Sequence, residues 1–127
     1  MDTKKLKTLF KQYPEIKLVY LFGSRANGKV GPLSDYDFAF YLGEKDSGKR
    51  FDLRLELITK LSSLLKTEHV DVVILNDAQS PEFKYNIIQE GKLLHQREPF
   101  KVIVEPRILE EYFDFYCSLK KYGLTKA

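Results

Sequence analysis

The sequence predicts an α+β fold, in which one small mixed β-sheet carries helices packed mainly on one face. Short apolar runs rich in aromatic and β-branched residues, at 16–22, 37–42 and 70–75, predict three strands. Apolar residues spaced three and four apart predict helices over 51–66 and 106–122. A length of 127 residues is typical of a single domain, which we expect to span 1–127 and to include the C-terminal amphipathic helix.

The first two elements are bounded by turn residues. Leu6, Leu9 and Phe10 have helical spacing, and Pro14 ends the helix that we predict over 3–13. The run 16–22 is apolar except for Lys17 and stops at a glycine, which is typical of a buried strand.

The remaining elements follow from turn residues and from periodicity. Glycines and a proline in 23–34 predict a turning connection into the strand 37–42. The polar loop 43–48 leads to the helix 51–66 and the strand 70–75. A helix over 82–90, a short strand over 92–95 and a long helix over 106–122 complete the chain; that last helix would begin earlier if Pro106 is a kink.

The composition excludes several classes of protein. Hydrophobic residues make up 43% and charged residues 31%, which is not a disordered composition, and a net charge of +3 does not by itself indicate nucleic-acid binding. The single cysteine, Cys117, excludes an intramolecular disulfide. No secretory signal and no membrane-length apolar run is apparent, so we expect a cytoplasmic protein.

Three aspartates are candidates for a metal site. Asp35 and Asp37 lie two residues apart at the start of a strand, so their side chains should project from the same face. Asp71 lies near the start of another strand and is a third candidate ligand or a proton acceptor. Carboxylates alone suit Mg²⁺ or Mn²⁺, with one or two ions bound.

Gly23, Ser24 and Arg25, ten residues upstream of the acids, are candidates for phosphate binding. A glycine lets the backbone approach a phosphate, Ser24 offers a hydroxyl, and Arg25 offers a planar donor group, although a surface ion pair is an equal alternative for Arg25. Either Gly-Ser or Asp-x-Asp alone is usually a turn or a solvated strand end. Their combination at this spacing, with each motif at the edge of a strand, favours a metal-bound phosphate.

Other reactive residues carry weaker signals. His69 and His95 lack the spacing of metal ligands, so structural or exposed roles are expected for both. Cys117 has no evident histidine partner and is expected in the core or at an interface. The last helix has more large apolar residues than one small sheet can cover, which indicates a partner surface.

The pattern of Gly23-Ser24, ten residues, Asp35-Tyr36-Asp37 and a later Val-Asp-Val-Val segment resembles the nucleotidyltransferase superfamily that includes DNA polymerase β. The residues of these motifs and the short chain length resemble those of the superfamily's minimal branch, the MNT-domain proteins. The resemblance implies that Asp35 and Asp37 bind metal, that Asp71 completes the site, and that Gly23 and Ser24 bind the triphosphate.

Minimal members of this branch are antitoxins of HEPN/MNT pairs. The resemblance therefore implies transfer of AMP from ATP to a tyrosine of a HEPN ribonuclease toxin, with Mg²⁺ as cofactor and no nucleic acid as direct substrate. Two alternatives stay open: a binding module that neutralises its partner by occlusion, and an enzyme that nucleotidylates a small-molecule hydroxyl.

Overall fold

The computed structural model describes residues 3–23 and 35–123, which form four helices and four strands. The elements are, in chain order, α1 (Thr3–Lys11), β1 (Ile16–Phe22), β2 (Tyr36–Leu42), α2 (Ser47–Leu65), β3 (Val70–Ile74), α3 (Pro81–Glu90), β4 (Lys92–Gln96) and α4 (Phe100–Lys121). Among these residues, no helix is both long and apolar enough to cross a membrane.

The strands lie close to their predicted positions, whereas α2 begins earlier than predicted and α4 takes the earlier of the two starts that the sequence left open. α2 begins at Ser47 because the carboxylate of Asp46 accepts a hydrogen bond from the Lys49 N–H, which caps the first turn. α4 begins at Phe100 and contains Pro106 in its interior. Sequence favoured Pro106 as a helix start because proline lacks the N–H that an interior position normally donates.

The sheet has the strand order β3-β2-β1-β4. β1 lies antiparallel to both β2 and β4, whereas β2 and β3 are parallel. The α+β class and the mixed sheet are therefore confirmed. The parallel pair begins at one end of the sheet, and that end carries the candidate acids.

Helices pack on both faces of the sheet, which differs from the expectation of helices mainly on one face. Phe38, Phe40 and Leu42 point to one face, where α1 and α2 cover them. Ala39 and Tyr41 point to the other face, where α3 and α4 pack over the middle of the sheet. The helices on this second face also bury apolar residues of their own, so one sheet supports two cores.

α4 is joined to the body mainly through its first half. Val104 and Ile108 are buried, and Glu105 accepts a hydrogen bond from the hydroxyl of Tyr20 in β1. Further along, Tyr112 stacks on Tyr85 of α3 with ring centroids 3.9 Å apart. The C-terminal half of α4 therefore leaves the sheet and exposes much of its apolar surface.

Candidate active site

Asp37 lies at the centre of the site because β2 is flanked by β1 and β3. In the sheet register, Asp37 is opposite Asp71 of β3 on one side and Phe22 of β1 on the other. Directly opposite residues project from the same face, so the Asp37 and Asp71 carboxylates are neighbours. Asp35 precedes β2 by one residue and is close enough for its charge to act on Asp37.

Gly23 follows β1 and lies against Asp37. Its φ of +77° falls in the left-handed region, which residues with a Cβ rarely adopt. A Cβ built on Gly23 would lie 2.5 Å from Oδ2 of Asp37, closer than nonbonded atoms approach. Glycine at position 23 therefore lets the end of β1 take this backbone conformation and lie against the central acid without displacing its carboxylate.

The three carboxylates form one electrostatic cluster. The pKa of Asp37 is raised above its usual range, first by burial and then by the negative charges of Asp71 and Asp35. Such clustering costs free energy unless a cation compensates it. The site is therefore suited to attract positive charge at Asp37.

The two outer acids each lie close to a nitrogen-bearing side chain, His69 for Asp35 and Arg54 for Asp71. Oδ1 of Asp35 lies 3.4 Å from Nδ1 of His69, and the backbone carbonyl of His69 accepts a 2.8 Å hydrogen bond from the Tyr36 N–H. Oδ1 of Asp71 lies 3.5 Å from Nη2 of Arg54. Both carboxylates are more than half exposed, at 61% and 59%, so they are free to turn.

The donor set of the site fits a hard divalent cation, although the side chains are not arranged around one. Within residues 3–23 and 35–123, no three His, Cys, Asp or Glu side chains form a group that could hold a metal ion. The two outer carboxylates instead have other partners, Asp35 with His69 and Asp71 with Arg54. Oxygen-only donors remain the ligands that Mg²⁺ and Mn²⁺ prefer.

Not all of the predicted site residues can be placed. Ser24 and Arg25 lie outside the described residues, whereas Gly23 and the three aspartates come together at one end of the sheet. Sequence reasoning missed His69 and Arg54 as neighbours of the site. His69 comes one residue before β3, and Asp35 comes one residue before β2. Parallel pairing of these two strands places the two residues side by side, so a prediction of parallel pairing would have identified His69.

A separate cavity of about 800 Å³ lies on the same face at the far end of β2. Tyr41 and Phe100 line it, as do Lys84 and Arg107, but none of the three aspartates does. Lys84 is already paired with Glu111 at 3.0 Å. This cavity is therefore distinct from the acidic site, four residues further along β2.

Comparison with known families identifies the class of protein. Residues 4–100 match the sequence model of the polymerase β nucleotidyltransferase family. That span contains the whole sheet and all three aspartates, and it exceeds half of the chain. The chain belongs to the polymerase β nucleotidyltransferase family.

Solved structures with the same fold come from toxin–antitoxin complexes. A chain of a toxin–antitoxin crystallised with AMP-PNP is 26% identical, with a TM-score of 0.78 over 96% of this chain and 95% of that one. A chain from the Shewanella oneidensis complex of tri-AMPylated HEPN toxin with MNT antitoxin is 24% identical, with a TM-score of 0.70 over 94% and 91% of the two chains. A chain of an MntA-HepT toxin–antitoxin is also 24% identical, with a TM-score of 0.69 over 94% and 92%. A search of curated proteins finds no match.

Proposed function

We propose that this chain is an Mg²⁺-dependent nucleotidyltransferase that transfers AMP from ATP to a tyrosine hydroxyl of a HEPN toxin and so acts as its antitoxin. The observation that carries the proposal is the position of Asp37, which is in register with Asp71, two residues from Asp35 and in contact with Gly23. Family membership supports nucleotidyl transfer. The similar chain crystallised with AMP-PNP supports ATP as the nucleotide, and the similar chain in complex with AMPylated HEPN toxin supports a toxin as the acceptor.

The reaction is an in-line displacement at the α-phosphorus of ATP. The tyrosine oxygen forms the new bond to phosphorus, the bond from phosphorus to the bridging oxygen breaks, and pyrophosphate leaves. The phenolic proton passes to a nearby base, and Asp71 is suited to this role because its carboxylate is exposed and lies at the edge of the acid cluster. Positioning and charge neutralisation supply most of the rate enhancement in such transfers.

Asp35, Asp37 and Asp71 would hold one or two Mg²⁺ ions, with Mn²⁺ as an alternative. Bound there, the metal would supply positive charge for the phosphates and the leaving pyrophosphate. The chain's own contribution is to gather three carboxylates at one end of the sheet, where Asp37 forms no ion pair with any residue of 3–23 or 35–123, so that positive charge is attracted to the central acid. Gly23, Ser24 and Arg25 would bind the triphosphate beside it.

The C-terminal half of α4 is suited to bind the protein substrate. Phe113, Phe115 and Tyr122 are 53%, 37% and 70% exposed, although they are large and apolar. Cys117 is also exposed, so it belongs to this surface and not to the core. Exposed aromatic residues on one projecting helix are typical of protein interfaces.

Intact-mass spectrometry of a HEPN toxin encoded beside this chain tests the proposal. The toxin would be incubated with this protein, Mg²⁺ and each nucleoside triphosphate in turn, and we expect it to gain the mass of one or more AMP groups. Asp37→Ala should abolish the gain and keep the circular dichroism spectrum. Asp52→Ala, which removes an exposed acid of α2 away from the site, should leave the gain unchanged.

One result would contradict the transferase function, and another would remove the evidence for the role of Asp37. A toxin that gains no mass but forms a stable, inactive complex with the wild-type protein would favour neutralisation by occlusion, which the exposed surface of α4 also permits. Loss of the folded spectrum in Asp37→Ala would remove the support for a role of Asp37 in the site.

A further inference from the structure

Arg54 reaches the candidate active site from the opposite face of the sheet. Its helix, α2, packs on the face that carries Phe38 and Phe40, whereas the aspartates project from the other face. β3 is an edge strand, so the outward carbonyl of Val72 has no neighbouring strand to pair with. Nε of Arg54 donates a 2.7 Å hydrogen bond to that carbonyl, and the side chain thereby passes around the edge of β3.

This backbone contact fixes the guanidinium beside Asp71. With Nε tied to Val72, Nη2 lies 3.5 Å from Oδ1 of Asp71. The Arg54 side chain is 34% exposed, and the Asp71 side chain is 59% exposed. The arginine is therefore the less exposed and more constrained of the two partners.

We propose that Arg54 is a positioning residue that holds the Asp71 carboxylate aside and competes with the divalent cation for it. The proposal rests on the metal site of the proposed function. A cation bound by Asp37 and Asp71 would compete with the guanidinium for the Asp71 carboxylate, and the positive charge of Arg54 would repel it. The rival explanation is that Arg54 only caps the open edge of β3, which is a common way to protect an edge strand.

The two explanations predict different metal affinities. If Arg54 competes with the metal, its removal should tighten metal binding. Because an exposed ion pair is weak, the gain should be only about two- to fivefold. Edge capping alone would leave metal affinity unchanged when the guanidinium is lost. If Arg54 and the metal ion compete for the Asp71 carboxylate, the effect of removing Arg54 must disappear in a protein that lacks this carboxylate.

The experiment measures Mn²⁺ binding to the purified chain without nucleotide, by electron paramagnetic resonance of free Mn²⁺. Arg54→Met, which keeps an unbranched stem, should bind Mn²⁺ about two- to fivefold more tightly than wild type. Asp71→Asn should bind more weakly, and the double variant should match Asp71→Asn alone. Arg50→Met is the matched control, because Arg50 lies on the same helix and pairs with Asp77, at 2.6 Å, outside the site.

Several outcomes would overturn the inference. Unchanged or weaker Mn²⁺ binding by Arg54→Met would leave only the edge-capping role, and so would an equal gain in the Asp71→Asn background. Absence of Mn²⁺ binding by the wild-type protein would overturn it as well. These results are independent of AMP transfer by the wild-type protein to the toxin, whose absence would contradict the proposed function instead.

Discussion

Replacing Gly23 by alanine should separate the cost to stability from the cost to activity. The positive φ of Gly23 disfavours any residue with a Cβ by about 1–2 kcal/mol. The new Cβ would also lie 2.5 Å from Oδ2 of Asp37, but that atom ends a rotatable side chain and can move away cheaply. We therefore expect a loss of about 1–2 kcal/mol in the free energy of unfolding, set by the backbone.

Activity should fall much further than stability, because the movement that relieves the clash displaces the central carboxylate. A displacement of about 1 Å at a reacting centre costs on the order of 100-fold in rate. The rate of AMP transfer to the toxin would be followed by intact mass. Thermal unfolding would be followed by circular dichroism, where the expected decrease in Tm is roughly 3–12 °C.

Gly48→Ala is the matched control for this substitution. A Cβ at Gly48, in the first turn of α2, would meet Oδ2 of Asp46 at an ordinary 3.6 Å, and its φ is not positive. Alanine there should raise stability by up to about 1 kcal/mol and leave transfer unchanged. A Gly23→Ala protein with wild-type rate and wild-type Tm would refute the argument that Gly23 and Asp37 are in tight contact.

Three further substitutions test the surroundings of the site. Tyr20→Phe should cost about 1–3 kcal/mol in the free energy of unfolding, because it leaves the carboxylate of Glu105 without its donor; denaturant titration measures this, and a cost below about 0.5 kcal/mol would contradict it. Burial, together with the neighbouring positive charges, lowers the pKa of His95, and its Nε2 has no hydrogen-bond partner among the described residues. The unfolded chain therefore binds this proton more readily than the folded chain, so stability should fall as the pH drops below about 6.5. His95→Gln should lose that component of the pH dependence, and an unchanged profile would count against this role of His95. On α4, Phe113→Glu should weaken toxin binding in calorimetry at least tenfold, whereas Phe51→Glu, at an exposed site on α2, should not; equal effects would remove α4 as the binding surface.

Local sequence was sufficient for the strands and for part of the site. The spacing of Asp35 and Asp37 already brings both acids to the start of one strand, whatever that strand pairs with. The run 16–22 is apolar enough to be identified as β1 with both ends correct. For α4 the sequence left two starts open, at Pro106 or earlier, and the helix takes the earlier one, because the preference of proline for a first turn does not exclude an interior position.

The amino-acid sequence by itself therefore determined the fold class, most of the element positions, and which acids are candidates for the site. Tertiary structure decided which residues meet. Register placed Asp71 directly opposite Asp37, and the turn after β1 brought Gly23 against the Asp37 carboxylate. The contacts of His69 and Arg54 join residues from separate elements, and no periodicity along the chain encodes such contacts. Local patterns depend on each residue's own backbone, whereas these contacts depend on how the strands and α2 pack, and packing is set by the whole chain.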